Sequence, residues 1–395
     1  MPMYPLMVNL IYLLATYHHL MSMYSEFVYD LCKSQTVTFR EYILKLIDNI
    51  GGKAESTLLS KLLECRRKSK VKRKLSDRNL LKPRAYILPQ DVYVVSSYDI
   101  PVQVLTVSNS AIVLRDTYNI GVFLRLGGVN FSRTFIAYTE VSLNDLHGRL
   151  KVKSKVILPP ILSSECVEDP RVDPDSPNDL YHVRAYYTPR YKVESTVITF
   201  HTNITYENGE VLPSTLEPIL FEDNSRCFII RSFRDSFPLS PNVMIVRPWF
   251  EEARIGGIFL GQRSGHIVSF KSLEPVPELA PIPGMELKTG ANTSLKLSSN
   301  EYLLIFHSVE YPHGMYYTFA ALLSDSGELL GLTPEPIISP YPELYSGRRP
   351  STIFVCGAVK VKDKIIVCAG KDDEILVFLE GRVDEILNSM KYIRG

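Results

Sequence analysis

The spacing of apolar and polar positions changes character once along this chain. Residues 25–75 carry helical spacing. Tyr42, Ile43, Leu46 and Ile47 fall at i, i+1, i+4 and i+5, one face of a helix. Thr38 and Glu41 stand ahead of them at capping-box spacing, and Gly51-Gly52 closes the turn. A second such pattern runs through Leu58, Leu59, Leu62 and Leu63. From residue 85 the runs are short and strand-like: Ala85–Leu88, Val92–Ser96, Gln103–Val107, Ala111–Leu114, Gly121–Leu126, Thr134–Tyr138, Tyr181–Tyr187 and Val197–His201. They continue through Cys227–Ser232, Asn242–Val246, Gly257–Leu260, His266–Phe270, Tyr302–His307, Tyr316–Leu322, Thr352–Val355 and Lys364–Ala369. Gly, Pro, Asn, Asp and Ser turns separate them, with Asn208-Gly209 and Ser326-Gly327 as hairpin signals. Such a succession predicts a mainly β, closed or radial architecture rather than a parallel α/β sheet. At four strands per blade, five blades of about 60 residues would use the whole stretch. A large sandwich shares the same composition.

Composition adds a boundary. The 395 residues hold 44 Lys+Arg against 43 Asp+Glu, with 45% hydrophobic and 22% charged, which excludes wholesale disorder and a uniformly basic nucleic-acid coat. The near-zero sum hides unlike parts. Residues 66–84 hold ten basic residues and one acid, Asp77, whereas residues 85–395 are acidic overall. The chain therefore divides into a helical extension with a basic linker over 1–84 and a β-rich body over 85–395. The basic run reads as a solvated helix end and linker, or as a contact for phosphate or an anionic membrane. No aromatic interleaves it before Tyr86, so no nucleic acid is expected. Residues 1–24 lack any charged side chain, but also a basic n-region and a small-residue cleavage site. A helix packed on the protein is expected there, with membrane contact as the alternative and homo-oligomerisation through the N-terminal helices as a further role. His18-His19 has no third ligand nearby. Cys32, Cys65, Cys166, Cys227, Cys356 and Cys368 follow no metal-ligand spacing and read as buried free thiols of a cytoplasmic protein.

Nucleotide-binding, nucleophile-elbow and zinc-protease motifs are all missing. The sharpest local feature is Glu168-Asp169-Pro170-Arg171-Val172, which alone reads as a turn with an Asp cap. Its context says more. Asn109-Ser110, then Phe123-Leu124-Arg125, then this run, resemble in order the motifs of glycoside hydrolase family 130, the β-mannoside phosphorylases and related mannosidases. Leu304 to Val309 is similar to the family's L-I-Y-H-G-V, Tyr316 to Leu323 to its Y-x-x-G-A-A-L-L, and Thr333 to Pro340 to its T-x-x-P-I-L-x-P. Ile353 to Gly357 and Ala369 to Asp373 resemble V-V-F-P-C-G and Y-G-A-A-D. The resemblance spans residues 100–380 and implies a five-bladed β-propeller. It implies Asp169 as the general acid, acting through a sugar hydroxyl, with Asn109, Ser110, Arg125, Lys288 and Asp373 lining the sugar. Arg231, His307 and Tyr316 would cradle phosphate. Inorganic phosphate is then a co-substrate beside the oligosaccharide, with no other cofactor and no metal.

The departures from the family keep alternatives open. Leu216-Glu217-Pro218-Ile219-Leu220-Phe221 places Glu217 where a basic phosphate ligand is expected, and Ile230 stands for a histidine. A carboxylate repels phosphate but suits a general base, so a β-mannoside hydrolase using Asp169 with Glu217 is the first alternative. A related mannosyltransferase and a non-catalytic glycan- or protein-binding propeller are the others. Arg234 is available to replace the lost charge.

Overall fold

The computed structural model describes residues 39–96, 99–128, 134–162, 165–186, 196–207, 210–340 and 349–393. The expectations for residues 1–24, for Thr38, for Cys32 and for the Asn208-Gly209 hairpin lie outside these residues. Helix α1 (Phe39–Asp48) buries Tyr42, Ile43 and Leu46, and helix α2 (Gly52–Cys65) buries Leu58 and Leu62, as the spacing predicts. No helix among the described residues is long and apolar enough to cross a membrane.

The rest is mainly β and forms four sheets, the largest of which holds two of the five strand groups that build the site. The innermost strand of each is labelled β1 (Thr106–Leu114), β2 (Glu165–Val172), β3 (Phe233–Ser240), β4 (Glu286–Lys296) and β5 (Ile353–Val361). Outward from β1 run Asn119–Gly127, Thr134–Ser142 and Val152–Leu158. From β2 the order is Asp179–Tyr186, Thr196–Glu207 and the short Glu217–Pro218. Val243–Phe250 and Phe259–Ser264 follow β3, while Glu301–Glu310, Tyr316–Ser324 and Leu329–Leu332 follow β4. The five labelled strands neighbour one another in a closed cycle, β1 beside β2 and so on until β5 returns to β1.

Burial follows from this arrangement. Sheets covered on both faces bury successive strand residues to opposite sides. In Glu301–Glu310, Leu304 and Phe306 enter the core shared with β3, whereas Leu303 and Ile305 enter the core shared with β5. Ala111 and Phe123 likewise meet Val167 and Leu180 between the first two groups. The Ser326-Gly327 turn is present, with Gly327 at a φ of +89°. Cys65, Cys166, Cys356 and Cys368 are buried and form no disulfide, whereas Cys227, expected to be buried as well, is only half-buried.

The last group is completed from the far end of the sequence. Lys82–Ile87 pairs antiparallel with Ile375–Arg382, the third strand of the β5 group. The boundary drawn at residue 84 therefore falls inside a strand. The basic run before it is a strap on the β body, not a solvated linker. Arg73 is buried, its Nη2 2.5 Å from Glu286 Oε2 and 2.9 Å from Ala280 O, over the rings of Phe306 and Phe319. Lys74 and Leu80 donate their amides to Pro334 and Ile337 carbonyls, and Arg84 bonds Glu380. Charge density along the sequence misleads here because these partners lie more than 200 residues away. Removing one member of a buried pair strands the other, at about 3–5 kcal/mol. Arg73→Met should accordingly lower the thermal midpoint clearly, and deletion through residue 84 should give insoluble protein. A chain begun at residue 85 with unchanged melting would overturn this.

Candidate functional site

Each of the five inner strands carries an irregularity near its middle, and these build the site. Register shifts occur between Ser108 and Ala111 in β1, opposite Tyr181 and Val183 in β2, between Arg234 and Phe237 in β3, between Ala291 and Thr293 in β4, and between Val355 and Gly357 in β5. A bulge kinks a strand and re-aims its side chains. Three bulges hold a non-glycine residue at positive φ: Asn109 at 39°, Asp169 at 49° and Asp235 at 52°. That conformation costs on the order of 1 kcal/mol, and Asn and Asp tolerate it best.

Two bulges use the same chemistry. Ser110 Oγ donates to Ser108 O and accepts the amide of Arg125 on the next strand. Ser236 Oγ donates to Arg234 O and accepts the amide of Arg247. The hydroxyl of Ser110 thus holds the bulge, with one lone pair left beyond these two bonds.

Asp169 receives Asn109 Nδ2 at 3.0 Å and Arg125 Nη1 at 2.7 Å, both on Oδ1, which leaves Oδ2 as the oxygen for a substrate. Gly370 permits this approach, because a Cβ there would fall 2.1 Å from Asn109 Oδ1. Burial alone would lower the Arg125 pKa, but Glu168, Asp169 and Asp373 together raise it, so Arg125 is charged. Glu168 is held by Arg125 at 3.4 Å and by Arg234 at 2.5 Å.

Beside this set lies a buried arginine, Arg171, to which the motif reading assigned no role. Arg171 sends Nε to Asn292 O at 2.8 Å, Nη1 to Asp169 O at 2.9 Å and Nη2 to Asp235 Oδ1 at 2.6 Å. It ties β2, β3 and β4 together at their bulges. Arg247 closes on Asp235 Oδ2 at 2.7 Å. Burial would raise the Asp235 pKa, yet the two arginines hold it well below the usual carboxylate range. A signal for this pair existed: Arg234-Asp235-Ser236 with Arg247 repeats Ser108-Asn109-Ser110 with Arg125.

The far wall is aromatic and cationic. His307 Nδ1 lies 3.0 Å from Asn292 Oδ1, and its ring stacks on Tyr316 with centroids 5.3 Å apart. Burial keeps the imidazole pKa well below its ordinary value, so His307 is neutral. Asn292 Nδ2 donates to Val355 O, which fixes the amide oxygen toward His307. Nδ1 then carries the proton and Nε2 is the acceptor, buried and without a partner among the described residues. Lys288 Nζ lies 5.5 Å from the Tyr316 ring centroid and 6.0 Å from that of Trp249. Burial lowers its pKa.

One expected residue stands elsewhere. Glu217 pairs through strand registers with His201, Tyr181 and Arg171, three strand spacings or roughly 14 Å outward from the inner strand. It bonds His201 at 3.0 Å and approaches His266 at 3.6 Å, so it is no base for Asp169. Arg231 lies exposed ahead of β3, its amide on Glu55 of α2 at 2.8 Å. Arg234, three residues on, is the arginine that joins the site.

The Glu217 cluster has its own pH signature. Burial would depress the His201 pKa, but Asp179 and Glu217 outweigh it and raise it to about 9. A raised histidine pKa contributes stability below the unfolded value of about 6.5, lost as pH rises through the folded value. Stability should therefore fall between pH 7 and 9, by up to about 3 kcal/mol at about 1.4 kcal/mol per pKa unit, and the thermal midpoint with it. His201→Gln should start lower and show no such slope; an equal slope in that variant would refute the assignment.

Taken together, the site is a carboxylate held by an amide and a guanidinium, facing a wall of cations, aromatic rings and a bare imidazole nitrogen. Such a set belongs to an enzyme that acts on glycosidic bonds. Residues 71–392 match the model of glycoside hydrolase family 130, described as β-1,4-mannooligosaccharide phosphorylase, and the chain belongs to that family. The β-1,2-mannobiose phosphorylase of Listeria innocua superposes with a TM-score of 0.58 at 14% identity, covering 81% of this chain and 99% of that one. A structure of the family's glycoside hydrolases that target β-1,2-mannosidic linkages in Candida mannan gives 0.50 at 14%, covering 79% and 97%. A glycosyl hydrolase from Bacteroides ovatus gives 0.49 at 12%, covering 80% and 94%. No curated protein matches the sequence. At these identities the likeness is one of fold.

Proposed function

We propose that this chain is a five-bladed β-propeller that cleaves β-mannosides by phosphorolysis, releasing mannose 1-phosphate with inversion. The five groups with their cyclic inner strands support the blade count. The observation that carries the reaction is the state of the carboxylates around Asp169. Glu168 is paired with two arginines, and so is Asp235. An inverting hydrolase needs a second carboxylate to activate water. Neither neighbour is available for that, and Glu217 is too remote.

In this reading a phosphate oxygen attacks the anomeric carbon from the face opposite the leaving group. The C1–O bond breaks as the leaving oxygen takes the proton of Asp169 through a sugar hydroxyl. Asn109, Arg125 and Asp373 hold the sugar. His307 Nε2 accepts the hydrogen of a P–OH, while Lys288 and the Tyr316 hydroxyl bind the anionic oxygens.

Incubation with β-1,2- and β-1,4-mannobiose, with and without phosphate, tests this directly. Mannose 1-phosphate is expected only when phosphate is present. Free mannose at equal rate in both conditions would favour hydrolysis and overturn the proposal.

A further inference from the structure

The phosphorolytic reading leaves the anion short of fixed charge. Of the positions that the family resemblance offered, that of Glu217 stands outward of the wall formed by His307 and Tyr316, and it carries a carboxylate where a cation is expected. We infer that Arg349, ahead of β5, is the second cation of an inorganic-phosphate subsite, beside Tyr316 with Lys288. The inference rests on phosphorolysis being the reaction.

The geometry is specific. Arg349 Nη1 donates to Tyr316 Oη at 3.1 Å, and its Cζ lies 5.7 Å from the ring centroid. Lys288 Nζ lies 5.5 Å from the same centroid. The phenol oxygen, having accepted from Arg349, still has its own hydrogen to donate. Neither cation has a carboxylate within ion-pair distance among the described residues. Asp372, whose backbone meets that of Arg349, is itself paired with Lys371. Arg349 is not a loose side chain on a passing loop. Its amide donates to Asp372 O at 3.1 Å, and the Asp372 amide in turn donates to Thr352 O at 2.8 Å.

Two like charges gathered on one ring, with no carboxylate in ion-pair contact, repel within a screening length unless an anion joins them. A guanidinium offers two parallel donors that match phosphate, and an ammonium supplies a point charge from the other side. The buried, unpartnered Nε2 of His307 is the independent sign that a ligand completes this wall. A sugar hydroxyl could satisfy that nitrogen, but it would not offset two cations.

Initial rates of mannobiose phosphorolysis, with phosphate varied, test the role. Arg349→Gln should raise KM for phosphate at least about tenfold while leaving KM for mannobiose within about twofold, since the sugar is held by Asn109, Arg125 and Asp373. Arg349→Lys should recover part of the loss. Arg349 is exposed, so its variants should melt with the wild type. Unchanged KM for phosphate in Arg349→Gln, or an equal rise in both KM values, overturns the inference and leaves phosphorolysis standing. Wild-type release of mannose at a rate independent of phosphate overturns phosphorolysis itself, and the subsite with it.

Discussion

Asp169→Asn should lower the rate of mannobiose phosphorolysis by about 100-fold or more while the protein still folds and binds sugar. General acid catalysis contributes about 10²–10⁴ in rate, and the amide cannot supply the proton. The change is nearly isosteric, and an amide oxygen can still accept from Asn109 and Arg125 in place of Oδ1. Arg125 keeps Glu168 as an anionic partner, so its charge is not stranded. Melting within a few degrees of wild type and sugar affinity within a few-fold should accompany the loss. Full turnover in this variant would remove Asp169 from the chemistry. Loss of folding would instead show that its strained conformation tolerates no exchange.

The second large effect is on stability. Arg171→Met should cost about 3–5 kcal/mol, because it strips hydrogen bonds from Asn292 O and Asp169 O and leaves Asp235 with Arg247 alone. At roughly 2–4 °C per kcal/mol for domains of 150–250 residues, the thermal midpoint should fall by about 6–20 °C. Activity should fall as well, since Arg171 fixes the backbone of Asp169. Arg171→Lys keeps the charge but not three divergent donors, so it should recover only a fraction. A midpoint within about 3 °C of wild type in Arg171→Met would show that the inner strands hold their bulges without this tie.

The strands that were hardest to read in the sequence are those that make the site. Tyr302–His307, Tyr316–Leu322 and Lys364–Ala369 were plain as apolar runs, and each lies within a strand. Strands β2, β3 and β4 gave no such run. In β4, Glu286-Leu287-Lys288-Thr289-Gly290-Ala291-Asn292 mixes polar groups and glycine. Within β2, Pro170 follows two carboxylates. A strand at the centre of a closed cycle lines the site instead of a hydrophobic core, so its polar residues follow the chemistry rather than an alternation of period two. Proline is tolerated there because β2 is an edge strand of its own group.

Candidate residues were legible to different degrees for the same reason. Asp169, Asn109 and Arg125 converge as the motifs implied. Ser110 turned out to hold a bulge, and Glu217 to belong to a histidine cluster at the outer edge. Arg171, quoted within a motif but given no role, fastens three strands. Its importance depends on Asn292 and Asp235, which are 121 and 64 residues away.

Sequence alone determined that the chain is mainly β, that helices precede the β body, and that Glu168-Asp169-Pro170-Arg171-Val172 resembles a family motif. Those are local properties: period, turn chemistry and a contiguous motif. Tertiary structure decided which charges are paired. It turned the basic run into a strap, because Arg73 meets Glu286 only after the chain has closed on itself. It set Glu217 against His201 and brought Arg234 to Glu168 and Arg247 to Asp235. A charge acts through the distance and burial of its partners, and neither is written in the order of residues.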